Sequence, residues 1–299
     1  MKKVLLSLIG MTLLSSCLKE ENNNTPQRQI RLLSKTIETP VATAPNQYKI
    51  TTEQSYEYGQ FGNLVKRVEK VTNANGTTVE DTYENKYEGI LPIKTTHSRA
   101  NVTLSETTYE YYNNGKLKIK SEVEGNDKTN PITDEYDYDG DLIKKHTHIH
   151  RNGQKKNYSI TEYTYTNNQI KVAVTSYTEE NNQKTNEVKE SYVYLIDTNN
   201  TIKEITKTGT NETTVISYMY DNKQNPLFLN TFYKMTNPTY YLEEEYFRYN
   251  ITKKTLTYSN KTLPKMETEF KYNYDEDGNP IRQQKTINQQ DISTKIFSY

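Results

Sequence analysis

Residues 136–166 read YDYDGDLIKKHTHIHRNGQKKNYSITEYTYT, and they span one full period of an internal repeat. The stretch opens and closes on two tyrosines separated by one residue. Between these pairs lie two turn signals, Asp139-Gly140 and Asn152-Gly153. Such dipeptides close β-hairpins because both residues accept a positive φ. The segments between the turns are rich in Thr, Tyr and Ile, which favours β-strands.

The same period of about 27 residues runs through the chain. Aromatic-x-aromatic pairs mark it, with Tyr83 filling one gap: Tyr56/Tyr58, Tyr109/Tyr111, Tyr136/Tyr138, Tyr163/Tyr165, Tyr192/Tyr194, Tyr218/Tyr220, Phe247/Tyr249, Tyr272/Tyr274 and Phe297/Tyr299. A second turn signal lies between successive pairs, at Gly76, Asn101, Gly125, Gly153, Asn181, Gly209, Asn237, Asn260 and Asn288. Each repeat therefore predicts two strands.

About nine repeats of two strands predict about 18 strands in up-and-down order. Open twisted sheets rarely exceed ~10 strands without curling or splitting. We therefore predict an all-β fold, an antiparallel up-and-down meander of hairpin repeats that is curled or closed into a barrel-like sheet. Closure would also remove exposed strand edges.

The aromatic pairs predict a stripe of rings on one face of the sheet, because residues two apart on a strand share a face. Apolar residues just after the turns are candidates to fill the gaps between rings: Leu117, Leu142, Ile170, Ile202, Leu227 and Ile281. We favour packing as the role of the rings, since a Tyr ring has an apolar body to cover. A platform that stacks on sugars is the alternative.

Composition excludes several protein classes. The 299 residues carry 38 Lys+Arg and 38 Asp+Glu, so no basic excess is present to neutralise the phosphates of a nucleic acid. No run of 18 apolar residues offers a transmembrane helix. The 27 Tyr and many β-branched residues argue against disorder.

The N-terminus predicts export and lipidation. Lys2 and Lys3 precede an apolar run over residues 4–14, and Ser15-Ser16-Cys17 follows it. This is similar to the bacterial lipobox, in which Cys17 would receive the lipid after cleavage of a signal peptide at residues 1–16. An ordinary thiol near a cleavage site is the alternative. Acyl chains on both the thiol and the new amino terminus would give stable anchoring.

Residues after the cysteine predict an address and a tether. Lys19-Glu20-Glu21 resembles the short signal that sends Bacteroidota lipoproteins to the outside of the outer membrane. Residues 17–47 carry three Pro and an Asn run and predict a flexible tether. The β-hairpin repeat domain is predicted over residues 48–299. The expected location is the outer membrane, facing the exterior, with the periplasmic face as an alternative.

The repeat has a recognisable relative. Residues 274–281 (YDEDGNPI), Tyr138-Asp139-Gly140, and Tyr220-Asp221 with the later Asn-Pro-Leu resemble the YD repeat of Rhs-type bacterial proteins. The chain is more similar to short YD-like repeat surface lipoproteins of the Bacteroidota, whose relatives include a porin-like-fold domain of unknown function. The resemblance implies an extracytoplasmic β-structure and assigns no activity.

Three of the four histidines form a run, His146, His148 and His150. Alternation places all three on one strand face, where imidazoles are potential zinc or copper ligands. Neighbours at i and i+2 are about 6.8 Å apart at ~3.4 Å per residue, and no acidic or cysteine partner stands beside them in sequence. We therefore favour an exposed strand face and predict no metal and no cofactor.

The sequence lacks the HExxH, GxSxG, GxxxxGK[ST] and GxGxxG motifs, so we predict no enzyme and no catalytic residue. The favoured function is a non-enzymatic, lipid-anchored envelope protein with a binding, adhesion or assembly role, whose partner is a glycan or an envelope protein. Two alternatives are an integral outer-membrane β-barrel and a hydrolase acting on surface glycans.

Overall fold

The computed structural model describes residues 31–41, 50–125, 129–198, 201–210, 212–260 and 262–299. This part of the chain contains 18 strands: β1 (Lys35–Pro40), β2 (Thr51–Tyr58), β3 (Leu64–Thr72), β4 (Thr78–Glu88), β5 (Leu91–Arg99), β6 (Val102–Tyr111), β7 (Leu117–Glu124), β8 (Ile132–Asp139), β9 (Leu142–Asn152), β10 (Lys155–Thr166), β11 (Gln169–Glu180), β12 (Gln183–Ile196), β13 (Ile202–Thr208), β14 (Thr213–Gln224), β15 (Tyr249–Tyr258), β16 (Met266–Tyr274), β17 (Pro280–Ile287) and β18 (Gln290–Ser298).

The strands form one closed antiparallel barrel. Each strand from β2 to β17 pairs with its two neighbours in sequence, and β1 pairs with both β2 and β18. The predicted antiparallel up-and-down meander of about 18 strands is confirmed, and the sheet is closed. No helix in the described ranges has the length and apolarity needed to cross a bilayer.

The barrel begins earlier than predicted. Residues 35–40, placed in the tether by the sequence analysis, form β1 and close the barrel. Thr36 is buried opposite Phe297. This strand has no aromatic pair, so the repeat pattern did not mark it. The predicted signal peptide, Cys17 and the predicted sorting residues lie outside the described residues.

Most of the predicted hairpin turns are present. Gly76, Gly115, Gly140, Gly153 and Gly278 all have a positive φ between +55° and +81°. A β-carbon at these positions would meet backbone strain, which explains why the repeat places Gly there. Asn101, Asn181 and Asn288, three of the predicted Asn turns, also have a positive φ.

The hairpin predicted between Tyr220 and Phe247 is not formed. Residues 225–248, here called the luminal insert, contain a short helix, α1 (Thr231–Thr236), and three 3-10 turns: Pro226–Leu229, Tyr240–Leu242 and Glu244–Tyr246. Asn225 and Asn230 cap the first two helical segments through their side-chain oxygens. Asn237, a predicted hairpin turn, instead follows α1 as its C-terminal cap.

The luminal insert lies inside the barrel. The rings of Phe232 and Tyr109 on β6 pack edge to face, with their centroids 6.4 Å apart. The hydroxyl groups of Tyr241 and of Tyr165 on β10 are joined by a hydrogen bond of 2.9 Å. Glu244 accepts a hydrogen bond of 2.6 Å from Lys254 on β15. The strands β6, β10 and β15 lie far apart around the barrel wall. A single segment can contact all three only if it lies inside the barrel. A barrel of this strand number is too wide for wall side chains alone to fill.

The aromatic stripe therefore faces the lumen and packs there. Tyr56, Tyr109 and Tyr136 are buried in one cluster with Phe232 and Tyr246 of the insert. This supports packing over a sugar platform for these rings. Four of the predicted gap-filling residues are also buried: Leu117, Ile170, Ile202 and Leu227.

Two of the gap-filling predictions are wrong by one residue. Leu142 and Ile281 are exposed, and their neighbours Ile143 and Pro280 are buried instead. In both places a bulge shifts the register at the end of the strand, between Asp137 and Tyr138 in one case. Because side chains alternate, a shift of one residue exchanges the inward and outward positions.

Candidate functional site in the barrel lumen

One end of the lumen is built from tyrosine hydroxyls. Several tyrosines at or near the end of an even-numbered strand donate a hydrogen bond to the carbonyl of a buried residue within two residues of the start of the preceding odd-numbered strand. The pairs and their O···O distances are Tyr58–Leu33 (2.9 Å), Tyr87–Leu64 (2.6 Å), Tyr111–Pro92 (2.8 Å), Tyr138–Leu117 (2.9 Å) and Tyr299–Pro280 (3.0 Å). We call this the tyrosine end. Burial raises the pKa of Tyr58 to about 12, so the hydroxyl remains a donor.

The luminal insert lies at the tyrosine end. It leaves β14 and enters β15 at this end, and Glu244 ties it to the wall. That carboxylate accepts hydrogen bonds from the Tyr218 hydroxyl at 2.5 Å and from Lys254 Nζ at 2.6 Å. Burial, followed by the contact with Glu244, raises the pKa of Tyr218, which keeps the hydroxyl protonated. This half of the lumen is thus occupied by protein.

The opposite end of the lumen is polar. Its main feature is the Asp134 cluster, formed by Asp134 on β8 with His146 and His148 on β9. Asp134 Oδ1 lies 2.8 Å from His146 Nε2 and 2.8 Å from His148 Nδ1. Lys120 Nζ stands 3.8 Å from Asp134 Oδ2, and the His146 ring stacks on Tyr136 at 4.7 Å.

The Asp134 carboxylate is held ionised. Burial opposes its charge, but hydrogen bonds from His146 and His148, together with the charge of Lys120, outweigh burial and lower its pKa to about 2. The cluster is therefore a buried anion surrounded by three nitrogen donors.

The structure brings two of the three run histidines together. His146 and His148 contact Asp134, whereas His150 lies opposite Ile132 in an exposed position outside the cluster. All three share one face, as alternation predicted. Among the residues that the structure describes, no group of three or more His, Cys, Asp or Glu side chains could hold a metal ion.

Asp134 was missed because it lies one strand before the run. The hairpin turn at Gly140 predicts that β8 pairs with β9. Continuing the register of its first pair, Asp139 with Leu142, would set Asp134 opposite Thr147, on the wrong face. The bulge after Asp137 corrects this and sets Asp134 opposite His148. Bulge positions are not readable from the repeat alone.

A second cluster repeats the same arrangement two strand pairs earlier. Asp81 lies opposite Arg99, and Tyr83 lies opposite His97. His97 Nε2 stands 2.9 Å from Asp81 Oδ1, and the Arg99 guanidinium binds both Asp81 oxygens at 3.0 and 2.8 Å. The Arg99 hydrogen bond is the main cause that lowers the pKa of Asp81. We call this the Asp81 cluster.

Both clusters reach solvent. The side chains of His148 and Arg99 are 41% and 50% exposed, although the two carboxylates they contact are largely buried. The polar end thus presents imidazole and guanidinium donors around fixed carboxylates. This chemistry suits the binding of a small polar ligand or ion.

No protein-family model matches the sequence. No curated protein matches it either. The solved structures that are similar to this chain include two described as porin-like proteins. The one from Bacteroides uniformis has 15% identity and a TM-score of 0.47, covering 89% of this chain and 96% of its own. The one from Bacteroides vulgatus has 15% identity and a TM-score of 0.45, covering 90% of this chain and 98% of its own.

Proposed function

We propose that this chain is a lipid-anchored cell-envelope protein whose barrel is a water-soluble binding domain rather than a pore. The observation that carries the proposal is the charged outer face of the barrel. The plugged tyrosine end and the polar opposite end support it further.

The outer face carries ion pairs between neighbouring strands. Lys94 on β5 pairs with Glu106 on β6, and Lys253 on β15 lies 3.0 Å from Glu267 on β16. These residues face outward because their chain neighbours face the lumen: Thr95 hydrogen-bonds the buried Tyr109. A Lys at the middle of a bilayer costs about 2 to 4 kcal/mol, so these mid-strand positions oppose insertion in hydrocarbon.

The luminal insert argues against conduction. Phe232, Tyr246 and Leu227 of the insert pack against wall tyrosines at the tyrosine end. A ligand would therefore enter and leave through the polar end. We propose binding there, with a glycan or an envelope protein as the partner class.

The anchoring part of the proposal rests on the sequence. Ser15-Ser16-Cys17 after an apolar run is similar to a complete lipobox, and Lys19-Glu20-Glu21 to an export signal for the outer leaflet. We propose attachment through Cys17 to the outer membrane, facing the exterior, with the periplasmic face as the alternative. We propose no catalytic role, because the sequence contains no HExxH, GxSxG, GxxxxGK[ST] or GxGxxG motif.

Two measurements test this proposal. The chain lacking residues 1–16 and carrying Cys17→Ala should run as a monodisperse species by size exclusion in detergent-free buffer. Cells making the full chain should incorporate a fatty-acid analogue into it, and the Cys17→Ala version should not be labelled.

Opposite results would overturn it. Aggregation without detergent, together with recovery of folded protein only in micelles, would indicate an integral barrel. Unchanged labelling of the Cys17→Ala chain would show that Cys17 is not the site of lipid attachment. Glycan cleavage abolished by replacing one acidic residue would indicate the hydrolase alternative.

A further inference from the structure

We propose that Arg67 forms a luminal binding site for the carboxylate or sulfate group of an acidic sugar. The inference deepens the proposed binding role of the polar end, on which it rests, by naming the chemistry of the ligand. Two observations carry it. Arg67 belongs to a set of basic side chains that surround the lumen at one level, and among the described residues it has no carboxylate partner.

The set of basic side chains follows from the register of the strands. On each even-numbered strand from β2 to β16, the tyrosine that marks the repeat lies directly opposite one residue of the next strand. These residues point into the lumen with the tyrosines, because directly opposed residues of antiparallel strands lie on the same face of the sheet. We call them the luminal belt, and they are Arg67, His97, Lys120, His146, Val172, Lys207, Lys254 and Gln283.

Every basic side chain of the luminal belt except Arg67 has a carboxylate partner. The partners and their N···O distances are Asp81 for His97 (2.9 Å), Asp134 for Lys120 (3.8 Å) and for His146 (2.8 Å), Glu190 for Lys207 (3.0 Å) and Glu244 for Lys254 (2.6 Å). Among the residues that the structure describes, no Asp or Glu forms an ion pair with Arg67. Glu69, two residues further along β3, instead accepts a hydrogen bond of 3.2 Å from Gln54.

The surroundings of Arg67 leave its positive charge without a counter-ion. The guanidinium carbon of Arg67, which is half-buried, lies 4.1 Å from the centre of the Tyr83 ring, and that ring stacks on His97 with the centroids 4.4 Å apart. Burial raises the pKa of Tyr83 and of Tyr56, so both phenols are neutral at pH 7. A ring attracts a cation but carries no net charge. Because a desolvated cation without a partner is costly, an anion supplied by a ligand would be bound favourably.

The approach to Arg67 and its chemistry favour an acidic sugar. Residues of the luminal insert pack against Tyr56, the neighbour of Arg67 on β2, so the open approach is from the polar end. A barrel of this strand number leaves an aqueous channel where it is not filled. The planar fork of a guanidinium matches two oxygens of a carboxylate or a sulfate. The next row of luminal residues towards the polar end offers amide, carboxylate and guanidinium groups for sugar hydroxyls: Gln54, Glu69, Asp81 and Arg99.

The test is ligand-observed saturation-transfer NMR with the chain that lacks residues 1–16 and carries Cys17→Ala. The probes are glucuronate, glucose 6-sulfate and neutral glucose, all at one ionic strength. We expect saturable binding of at least one of the two anionic sugars, and binding of glucose at least about tenfold weaker, as the loss of a charged hydrogen bond requires. The titration is run in micelles if the chain needs detergent, so this inference and the proposed water-soluble domain can fail separately.

Two substitutions locate the site. Arg67→Gln removes the guanidinium and should weaken binding of the anionic sugar at least about tenfold. Arg282→Gln is the matched control, because Arg282 lies on β17 beside the belt residue Gln283 but faces outward and is exposed. It should change the affinity by less than about twofold, since an outward charge does not contact a luminal ligand.

Several results would overturn the proposal. They are the absence of saturable binding of either anionic sugar up to about 20 mM, glucose binding as tight as that of the anionic sugars, unchanged affinity in the Arg67→Gln chain, and an equal loss in the Arg282→Gln chain. The thermal midpoint of each variant shows whether it is folded. If Arg67→Gln fails to fold, competition on the unaltered cluster decides the question: inorganic sulfate should displace the bound anionic sugar, and a failure to displace it would contradict an anion site.

Discussion

At the scale of single residues, Asp134 is the group whose ionisation matters most for the polar end. It accepts two hydrogen bonds of 2.8 Å from imidazoles, and its pKa is lowered to about 2. A carboxyl with a lowered pKa stabilises the fold above its unfolded pKa of about 3.9. That contribution is lost as the pH falls toward 2.

We expect Asp134→Asn to lower the free energy of unfolding by about 2 kcal/mol at pH 6, since each pKa unit corresponds to about 1.4 kcal/mol. The difference between the two proteins should shrink to near zero at pH 2. Urea unfolding at both pH values measures it. An equal difference at pH 6 and pH 2 would show that lost packing, and not the charge, explains the effect.

The tyrosine hydroxyls of the tyrosine end make a second residue-scale prediction. Tyr111 donates to the Pro92 carbonyl at 2.8 Å. Tyr111→Phe keeps the ring and removes this hydrogen bond, so it should cost about 1 kcal/mol. Tyr177 lies on the outer face and makes none of these carbonyl hydrogen bonds, so Tyr177→Phe is the matched control and should cost less than about 0.5 kcal/mol. Equal losses in the two variants would show that the hydrogen bond of the Tyr111 hydroxyl does not contribute to stability.

At the scale of elements, the luminal insert is the part of the fold that the repeat pattern could not anticipate. The insert, residues 225–248, is slightly shorter than one repeat. Pro226 lacks a backbone N–H donor, and Asn225 and Asn230 cap helical turns in place of a strand. The flanking strands, with regular turns and β-branched residues, were predictable. The conformation of the insert depends on the lumen that it fills, and this lumen exists only after the barrel has closed.

We expect Phe232→Ala to destabilise the barrel by about 3 kcal/mol, because it removes a buried ring packed on Tyr109. Phe61 is 83% exposed in the β2–β3 turn, and Phe61→Ala should change the free energy of unfolding by less than about 0.5 kcal/mol. Chemical unfolding measures both. A loss below about 1 kcal/mol for Phe232→Ala would mean that the insert does not contribute to the core.

At the scale of the whole molecule, the approximate strand number and the antiparallel order followed from the repeat, and closure followed from the instability of wide open sheets. The strand that completes closure, β1, was not predictable, because it has no aromatic pair and lies among residues that look like a tether. The site was predictable only in part. Alternation placed the run histidines on one face, but the partner Asp134 depends on a bulge.

Barrel closure is tested most directly by a pair of disulfide cross-links through β1. Ile37 lies opposite Ile296 on β18 and opposite Glu53 on β2. Directly opposed residues in antiparallel strands have Cα separations of about 4.5 to 5.5 Å, within the range of a disulfide. In a Cys17→Ala chain, Ile37→Cys is combined with Ile296→Cys in one variant and with Glu53→Cys in the other, and non-reducing electrophoresis is compared with reducing. A closed barrel predicts an intramolecular disulfide in both variants. A disulfide with position 53 but none with position 296 would show an open sheet and contradict the closed barrel.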